Sequence, residues 1–178
     1  GEPLLLPENN RLLDVIPEDA VVTLITNLTG DLENNRIFQK LAKRNRVGWS
    51  MSFDNIGPRL EYVRYGAGWG EIQRNLGLVK NLMTTQGHSG GIHAVYNIYN
   101  ATRICELREF AEQSGTTVLW QNLFQPDYLD PFLHGPAVAQ LAAAEIKQFY
   151  TMGIATDAER QFFDQALSKY NSIEAAQP

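Results

Sequence analysis

The sequence predicts an α/β protein with a parallel sheet, and the order and number of its segments support this prediction. Hydrophobic runs typical of strands alternate with segments that have the helical period along the 178 residues. Such a serial order gives parallel strands joined by right-handed crossovers. The four strand-like runs are too few for a closed eight-stranded barrel, and four is also an unusual strand count for a complete doubly wound domain. The chain also begins with the turn Gly1-Glu2-Pro3 and has no strand before it. Together with the count of four strands, this predicts that the chain is a segment of a larger fold.

The first half of the chain is expected to contain two strands and three helices. Runs rich in β-branched and aromatic residues predict strands at 21–26 and 47–53. The helical period predicts helices at about 12–16, 35–44 and 72–83. A loop with Gly57-Pro58 and the glycine-rich stretch 66–70 are expected before the third of these helices.

The second half is expected to contain two further strands and three helices. Strands are predicted at 92–98, after a loop at 87–91, and at 117–124. A helix around 104–111 is closed by Gly115, and Pro126 and Pro131 break the chain into an extended loop. Helices then begin at Pro136 and at the capping box 156–159, and a frayed tail is expected at 175–178. We expect one domain over 1–178, in which 126–178 form a loop and a C-terminal helical extension.

Composition limits the function classes. The net charge of −5 argues against a nucleic-acid partner, because phosphate binding needs a basic surface. There is no apolar run near the roughly 20 residues of a membrane span and no signal-peptide pattern, so no membrane is expected. The single cysteine, Cys105, excludes an internal disulfide framework and fits a reducing compartment. These features predict a cytoplasmic protein.

The histidines His88, His93 and His134 lack the spacing of a metal site, and His93 is expected to face a core or a cavity.

Polar residues recur where three strand-like runs end: Thr26-Asn27, Ser52 with Asp54, and Gln121-Asn122. Ligands bind at the carboxyl ends of parallel strands, because helices cover the strand faces. The recurrence therefore favours a bound small molecule, although each pair taken alone is better explained as a turn former or a helix cap. Along 47–54, small residues alternate with bulky ones, which predicts one face that lines a cavity and one that packs on helices.

The order of several short motifs resembles that of radical SAM enzymes. Gly1-Glu2-Pro3 resembles the end of their Gly-Gly-Glu-Pro turn, and 52–57 resemble their Ser-x-Asp-Gly segment, with Asn55 in place of the glycine. Arg64 follows that segment where such enzymes place an arginine. The segments 26–29 and 99–100 and the pair Asn122 and Pro126 are also similar to strand ends of these proteins. The most similar members have a shortened auxiliary "twitch" region and often act on peptides or proteins.

The resemblance implies a partial (β/α) barrel that binds S-adenosylmethionine. Glu2 would accept hydrogen bonds from the methionine ammonium, Arg64 would pair with its carboxylate, and Ser52 would bond a ribose hydroxyl or the methionine moiety. The implied cofactor-binding set is Gly1, Glu2, Thr26, Asn27, Ser52, Asp54 and Arg64. The implied substrate cavity is lined by Asn97, Asn100, Gln121 and Asn122. Simpler alternatives remain: a solvated turn glutamate, a surface salt bridge for the arginine, and a loop-capping role for Asp54.

The chain departs from the family in its cysteines. Radical SAM chemistry needs a [4Fe–4S] cluster on three cysteines before the Gly-Gly-Glu turn, and this chain contains only Cys105, which is expected to be a small core residue. The resemblance therefore implies either a segment that lacks the cluster-binding part or a protein that has lost the chemistry. The expected function is a portion of an enzyme for 5′-deoxyadenosyl-radical chemistry, inactive by itself.

Two other classes stay open: a stand-alone, cluster-free α/β module that binds a ligand or partner protein, and, with less support, a barrel-like hydrolase. An incomplete barrel would leave an unpaired strand edge and an uncovered face, so self-association is also expected.

Overall fold

A computed structural model describes residues 1–123 and 125–175, the last three of these by their backbone alone. The expected frayed tail at 175–178 lies, apart from its first residue, outside the described residues. The helices are α1 (Pro7–Val15), α2 (Arg36–Leu41), α3 (Gly57–Val63), α4 (Trp69–Gln86), α5 (Ile104–Gln113), α6 (Pro136–Thr151) and α7 (Asp157–Ala175). The strands are β1 (Val22–Thr26), β2 (Val47–Ser52), β3 (Ser89–Tyr96) and β4 (Val118–Asn122).

The four strands form one parallel sheet in the order β1-β2-β3-β4, so the predicted α/β class with a parallel sheet is confirmed. In the register of the sheet, Val22 lies opposite Val47, and Gly48 lies opposite Ser89. The chain divides into two compact units. Unit 1 contains Gly1–His93 and Gly115–Thr117, and unit 2 contains Ala94–Ser114 and the described residues from Val118 onward.

The core of unit 1 is built on the bulky face of β2. Val47, Trp49 and Met51 are buried, whereas the small residues between them are half-buried, which confirms the expected packing face. The Trp49 ring packs against Phe38 with centroids 5.5 Å apart, and its indole N–H donates to Nδ1 of His88 at 3.0 Å. His88 Nε2 lies 2.6 Å from the Arg44 carbonyl oxygen, so both ring nitrogens of this buried histidine are satisfied.

The core of unit 2 is an aromatic cluster. The Phe163 ring meets those of Tyr96, Trp120 and Phe149 edge-on, with centroids 5.5, 5.2 and 5.5 Å apart. This is the preferred geometry of aromatic pairs, because the positive edge of one ring faces the negative face of another. The α7 helix that supplies Phe163 begins with the predicted capping box: Glu159 N–H donates to Thr156 Oγ1, and Glu159 Oε2 accepts from Thr156 N–H.

The structure differs from the expected helices and strands in three places. The first helix, expected at about 12–16, is α1 and begins at Pro7, because proline fits the first turn of a helix. The loop expected at Gly57-Pro58 is the first turn of α3, where the fixed φ of proline fits a helix and its missing N–H costs nothing. The strand expected from residue 92 begins at Ser89 and runs through Gly90 and Gly91. A Cβ on Gly91 would lie 2.9 Å from Oγ1 of Thr117. Gly91 therefore lets two backbone segments come close together, although in the sequence it looks like a turn residue.

Candidate functional site

The polar residues that follow β1 and β2 lie at the same edge of the sheet in unit 1. Thr26 ends β1 opposite Met51, and Ser52 is the next residue and the last of β2. Asn27 and Asp54 lie just beyond the two strands. Because parallel strands end at a common edge, these four residues lie at one edge of the sheet, and their role in a binding site stays a prediction.

Glu2 joins this edge through three hydrogen bonds. Its Oε1 accepts from Thr26 Oγ1 at 2.7 Å and from Leu4 N–H at 3.3 Å, and its Oε2 accepts from Asn27 N–H at 2.7 Å. The carboxylate thus caps the short 3-10 helix Pro3–Leu5 and fixes the end of β1. A carboxylate has about four acceptor sites, so about one remains for a ligand.

Arg64 connects the ends of both strands. It follows the last residue of α3, and its guanidinium donates to Asn27 Oδ1 at 2.7 Å, Ser52 Oγ at 3.1 Å and Asp54 Oδ2 at 3.3 Å. The side chains of Arg64 and Asp54 are 25% and 15% exposed, so this ion pair is only partly screened by water. Three of the five guanidinium N–H groups are used, which leaves two donors at the edge.

The turn after β1 is held by two side chains of α4 that were not predicted from the sequence. Leu28 is fully buried and adopts a φ of 55°, which is strained for a leucine. Asn75 donates to Leu28 O at 2.7 Å and Gly30 O at 2.8 Å, and Glu71 accepts from Gly30 N–H at 2.8 Å. The sequence did contain a signal for Asn75, because this polar residue lies between the apolar Ile72 and Val79 on the buried side of the helix.

His93 lies on the strand beside the polar residues of β2. It is half-buried in the middle of β3 and is the register partner of Ser52. Register partners in a sheet project to the same face, so the imidazole and the Ser52 hydroxyl share one face of the sheet. Gly1, by contrast, is exposed and lines an apolar groove of about 430 Å³ with residues of α1, β1 and α2.

The expected cavity residues Asn97 and Asn100 lie in unit 2, in the turn after β3, and both are buried. Asn100 Oδ1 accepts from Asn97 N–H, and both side-chain amides donate to Val95 O at 2.8 Å. Asn97 Oδ1 accepts from Tyr99 N–H. Their amides are therefore bonded to the backbone of this turn, and the cavity-lining role stays a prediction.

Gln121 and Asn122 are exposed at the end of β4. Asn122 lines a cavity of about 250 Å³ in unit 2, together with Tyr96, Phe132, Asp130 and Lys169. Burial raises the pKa of Tyr96 well above its ordinary value, and the charges of Asp130 and Glu145 raise it further. Its hydroxyl therefore stays protonated in the physiological pH range.

Cys105 is buried on α5, as expected for a core cysteine. Burial, followed by the charge of Glu145, raises the pKa of its thiol to about 12, so it is a poor thiolate ligand. In the described residues no group of three or more His, Cys, Asp or Glu side chains is arranged to hold a metal ion. None of the helices described is long and apolar enough to cross a membrane.

The sequence matches no family model, and none of the curated proteins is significantly similar to it. The candidate site is a set of five side chains at the carboxyl edge of β1 and β2, each joined to another of the set or to Arg64. They are Glu2, Thr26, Asn27, Ser52 and Asp54, and we call this set the edge cluster.

Proposed function

We propose that this chain is a portion of a radical SAM enzyme and that the edge cluster with Arg64 holds the amino-acid end of S-adenosylmethionine. The observation that carries the proposal is the convergence of Glu2 and Arg64, from two distant parts of the sequence, on the same strand ends. An anionic and a cationic group with unused hydrogen-bonding capacity complement an α-amino carboxylate, which has one charge of each sign.

The role of each residue follows from its remaining capacity. Arg64 has one unused N–H on Nε and one on Nη1, because both N–H groups of Nη2 are engaged, and each would donate singly to a carboxylate oxygen. The unused acceptor site of Glu2 suits the ammonium. Ser52, the last residue of β2, and Asp54, just beyond it, suit hydroxyl groups of the ribose. The Asn75 and Glu71 bonds would hold the turn that positions Asn27.

The finer architecture belongs to the same proposal. The four parallel strands would be part of a (β/α) barrel, and residues near the end of β4, Gln121 and Asn122, would face the substrate, for which a peptide is the first candidate. The protein would work in the cytoplasm. When bound in such an enzyme, S-adenosylmethionine supplies a 5′-deoxyadenosyl radical for hydrogen abstraction, while the protein positions and shields the reactants.

The residues of this chain do not fit a [4Fe–4S] cluster. Cluster iron is held by thiolates, and the one cysteine is buried with a raised thiol pKa. The role proposed for the chain is therefore cofactor binding alone.

Isothermal titration calorimetry with S-adenosylmethionine tests the proposal. We expect binding that weakens about tenfold to a hundredfold in Arg64→Ala, since charged hydrogen bonds contribute about 1.5–3 kcal/mol. Arg64→Lys keeps the charge but has three N–H donors in place of five, and its affinity should fall between those of the wild type and Arg64→Ala. Arg36→Ala, at an exposed arginine on α2, is the control and should bind normally.

Circular dichroism on each variant separates lost binding from lost folding. Equal affinity in Arg64→Ala and the wild type, or no binding to the folded wild-type chain, would overturn the proposed cofactor site.

The alternative is a cluster-free module that binds a ligand or a partner. Its support is that Glu2 and Arg64 already use most of their hydrogen bonds within the chain, as structural residues do. A large loss of thermal stability in Arg64→Ala without any cofactor binding would favour it.

A further inference from the structure

Asn35 connects the turn that carries Glu2 to helix α2. Its Nδ2 donates to the Leu4 carbonyl oxygen at 2.7 Å, and its Oδ1 accepts from Phe38 N–H at 2.9 Å. The second bond caps α2, and a helix cap needs only an acceptor. The bond to Leu4 is therefore additional to the cap, and it is possible because an amide has its donor and its acceptor on separate atoms.

Helix α2 is a firm support for this turn because it is anchored in the core of unit 1. Phe38 is buried, and its ring packs against Trp49. The Pro3 carbonyl oxygen has a similar bond, from Asn9 Nδ2 at 2.8 Å, but Asn9 lies on α1, which has no buried residue. The position of the turn is therefore set mainly through Asn35.

The orientation of the Glu2 carboxylate depends on where this turn lies. Leu4 N–H donates to Glu2 Oε1 at 3.3 Å, so the residue whose carbonyl oxygen Asn35 holds also orients the carboxylate. Thr26 Oγ1 and Asn27 N–H donate to the two oxygens of the same carboxylate. Hydrogen bonds weaken steeply when their geometry is displaced. Movement of Leu4 would therefore displace the acceptor site of Glu2 that is proposed for the ligand ammonium.

We infer that Asn35 is a positioning residue of the proposed cofactor site: it holds Glu2 in place for the ammonium of S-adenosylmethionine and does not itself contact the ligand. This role rests on the proposed function, because it requires a ligand ammonium at Glu2. It adds to the site a residue of α2, a helix that the motifs at the strand ends do not include.

Two substitutions separate the helix cap from the bond to Leu4. Asn35→Ser keeps an oxygen that can cap α2 but is too short to reach the Leu4 carbonyl oxygen as well, whereas Asn35→Ala loses both bonds. Isothermal titration calorimetry with S-adenosylmethionine should show about tenfold weaker binding in both variants, because a charge-assisted hydrogen bond to the ammonium is displaced. Tm should fall further in Asn35→Ala, because only this variant loses the cap.

Asn34→Ser is the matched control, one residue earlier. Asn34 is exposed, and its amide donates to Asp31 Oδ2 at 2.7 Å. The same substitution therefore removes an asparagine hydrogen bond that does not involve the turn at Leu4. This variant should bind S-adenosylmethionine like the wild type.

The amide signal of Asn27 gives a measurement that needs no ligand. Asn27 N–H donates to Glu2 Oε2 at 2.7 Å, so its ¹H–¹⁵N NMR signal reports the position of the carboxylate. The signal should shift in both Asn35 variants and stay in place in Asn34→Ser.

The outcomes distinguish the positioning role from the proposed function. If the wild type binds, unchanged affinity in Asn35→Ser would overturn the role of Asn35, and so would an affinity loss confined to Asn35→Ala, because the loss would then follow the cap. An Asn27 signal that stays in place in Asn35→Ser would overturn it as well. A folded wild-type chain that does not bind S-adenosylmethionine would overturn the proposed function instead, and the Asn27 signal would still show whether Asn35 holds Glu2.

Discussion

Leu28 shows how the candidate site depends on single residues outside the strand ends. A leucine at a φ of 55° costs of order 1–2 kcal/mol, and the two Asn75 hydrogen bonds, together with complete burial, offset this cost. The sequence pattern predicted where Thr26 and Asn27 would lie, because strand ends can be recognised from hydrophobic runs. It could not reveal that a helix amide more than forty residues away fixes the turn behind them.

The asparagines mark the limit of residue-level prediction. Asn27 accepts a hydrogen bond from Arg64 at the strand ends, whereas Asn97 and Asn100 bond to their own turn. All three follow hydrophobic runs in sequence, so the local pattern is the same. Only the tertiary position of a partner such as Arg64 distinguishes a site amide from a turn amide, and that position is not encoded locally.

Cys105 gives a prediction at this scale. Because the thiol pKa is raised to about 12 in the folded state, iodoacetamide at pH 8 should meet about a thousandfold less thiolate than in the unfolded chain. A mass-spectrometric time course in buffer and in denaturant measures both rates, and Cys105→Ser gives the background.

The raised thiol pKa of Cys105 also predicts how the stability of the fold changes with pH. A raised folded-state pKa stabilises the fold below the unfolded value of about 8.5, and this contribution is lost as pH rises from there toward 12. Equal alkylation rates in buffer and denaturant would contradict both statements.

At the scale of elements, the sequence predicted whether a segment is a helix or a strand better than it predicted the first and last residues of that segment. All four strands and the two long C-terminal helices lie where hydrophobic periodicity placed them, and the Thr156–Glu159 capping box marks its helix as expected. α3 was missed because Gly57-Pro58 has the composition of a turn, although proline is equally suited to a first helical turn. The start of β3 was missed because Gly90 and Gly91 lack side chains that would indicate a strand.

Helix α4 and the residue that follows it provide two glycines for which the same substitution has opposite expected effects. Gly77 lies inside the helix with open space around its Cβ position, whereas Gly87 ends the helix at a φ of 71°, also with open space. Gly77→Ala should stabilise the protein by about 0.5–1 kcal/mol, because alanine restricts the unfolded chain. Gly87→Ala should destabilise it by about 1 kcal/mol, because alanine is strained in the left-handed region.

Urea denaturation followed by circular dichroism compares the two variants with the wild type. A destabilised Gly77→Ala would indicate a neighbour against the helix in solution, and a neutral Gly87→Ala would indicate a different helix end.

At the scale of the whole molecule, β1 is the first strand of the sheet order and pairs with β2 on one side. Val22 donates its N–H to Arg46 O, so Thr23 and Ile25 turn their backbone groups to the opposite side, where the described chain provides no strand. Ile25 and Val21 are about 60% exposed there, beside the apolar groove of about 430 Å³. Such an edge is a template for pairing with another chain.

We therefore expect concentration-dependent self-association in sedimentation velocity. Ile25→Lys should weaken it about tenfold or more, because a charge on an edge strand opposes strand pairing. Tyr62→Lys, at an 80% exposed residue of α3, is the control and should associate like the wild type. A wild-type chain that stays monomeric at its highest soluble concentration would refute the expectation, as would equal effects of both variants.

Segments of the two compact units alternate along the sequence. The boundary between them is crossed after His93, after Ser114 and after Thr117, so each unit is assembled from two separate stretches of chain. Ile92, in the first stretch of unit 1, donates its N–H to Thr117 O in the second, at 2.8 Å. A fragment that ends after residue 93 therefore contains part of a strand without the acceptor for Ile92, and a single cut in the chain cannot separate the two units.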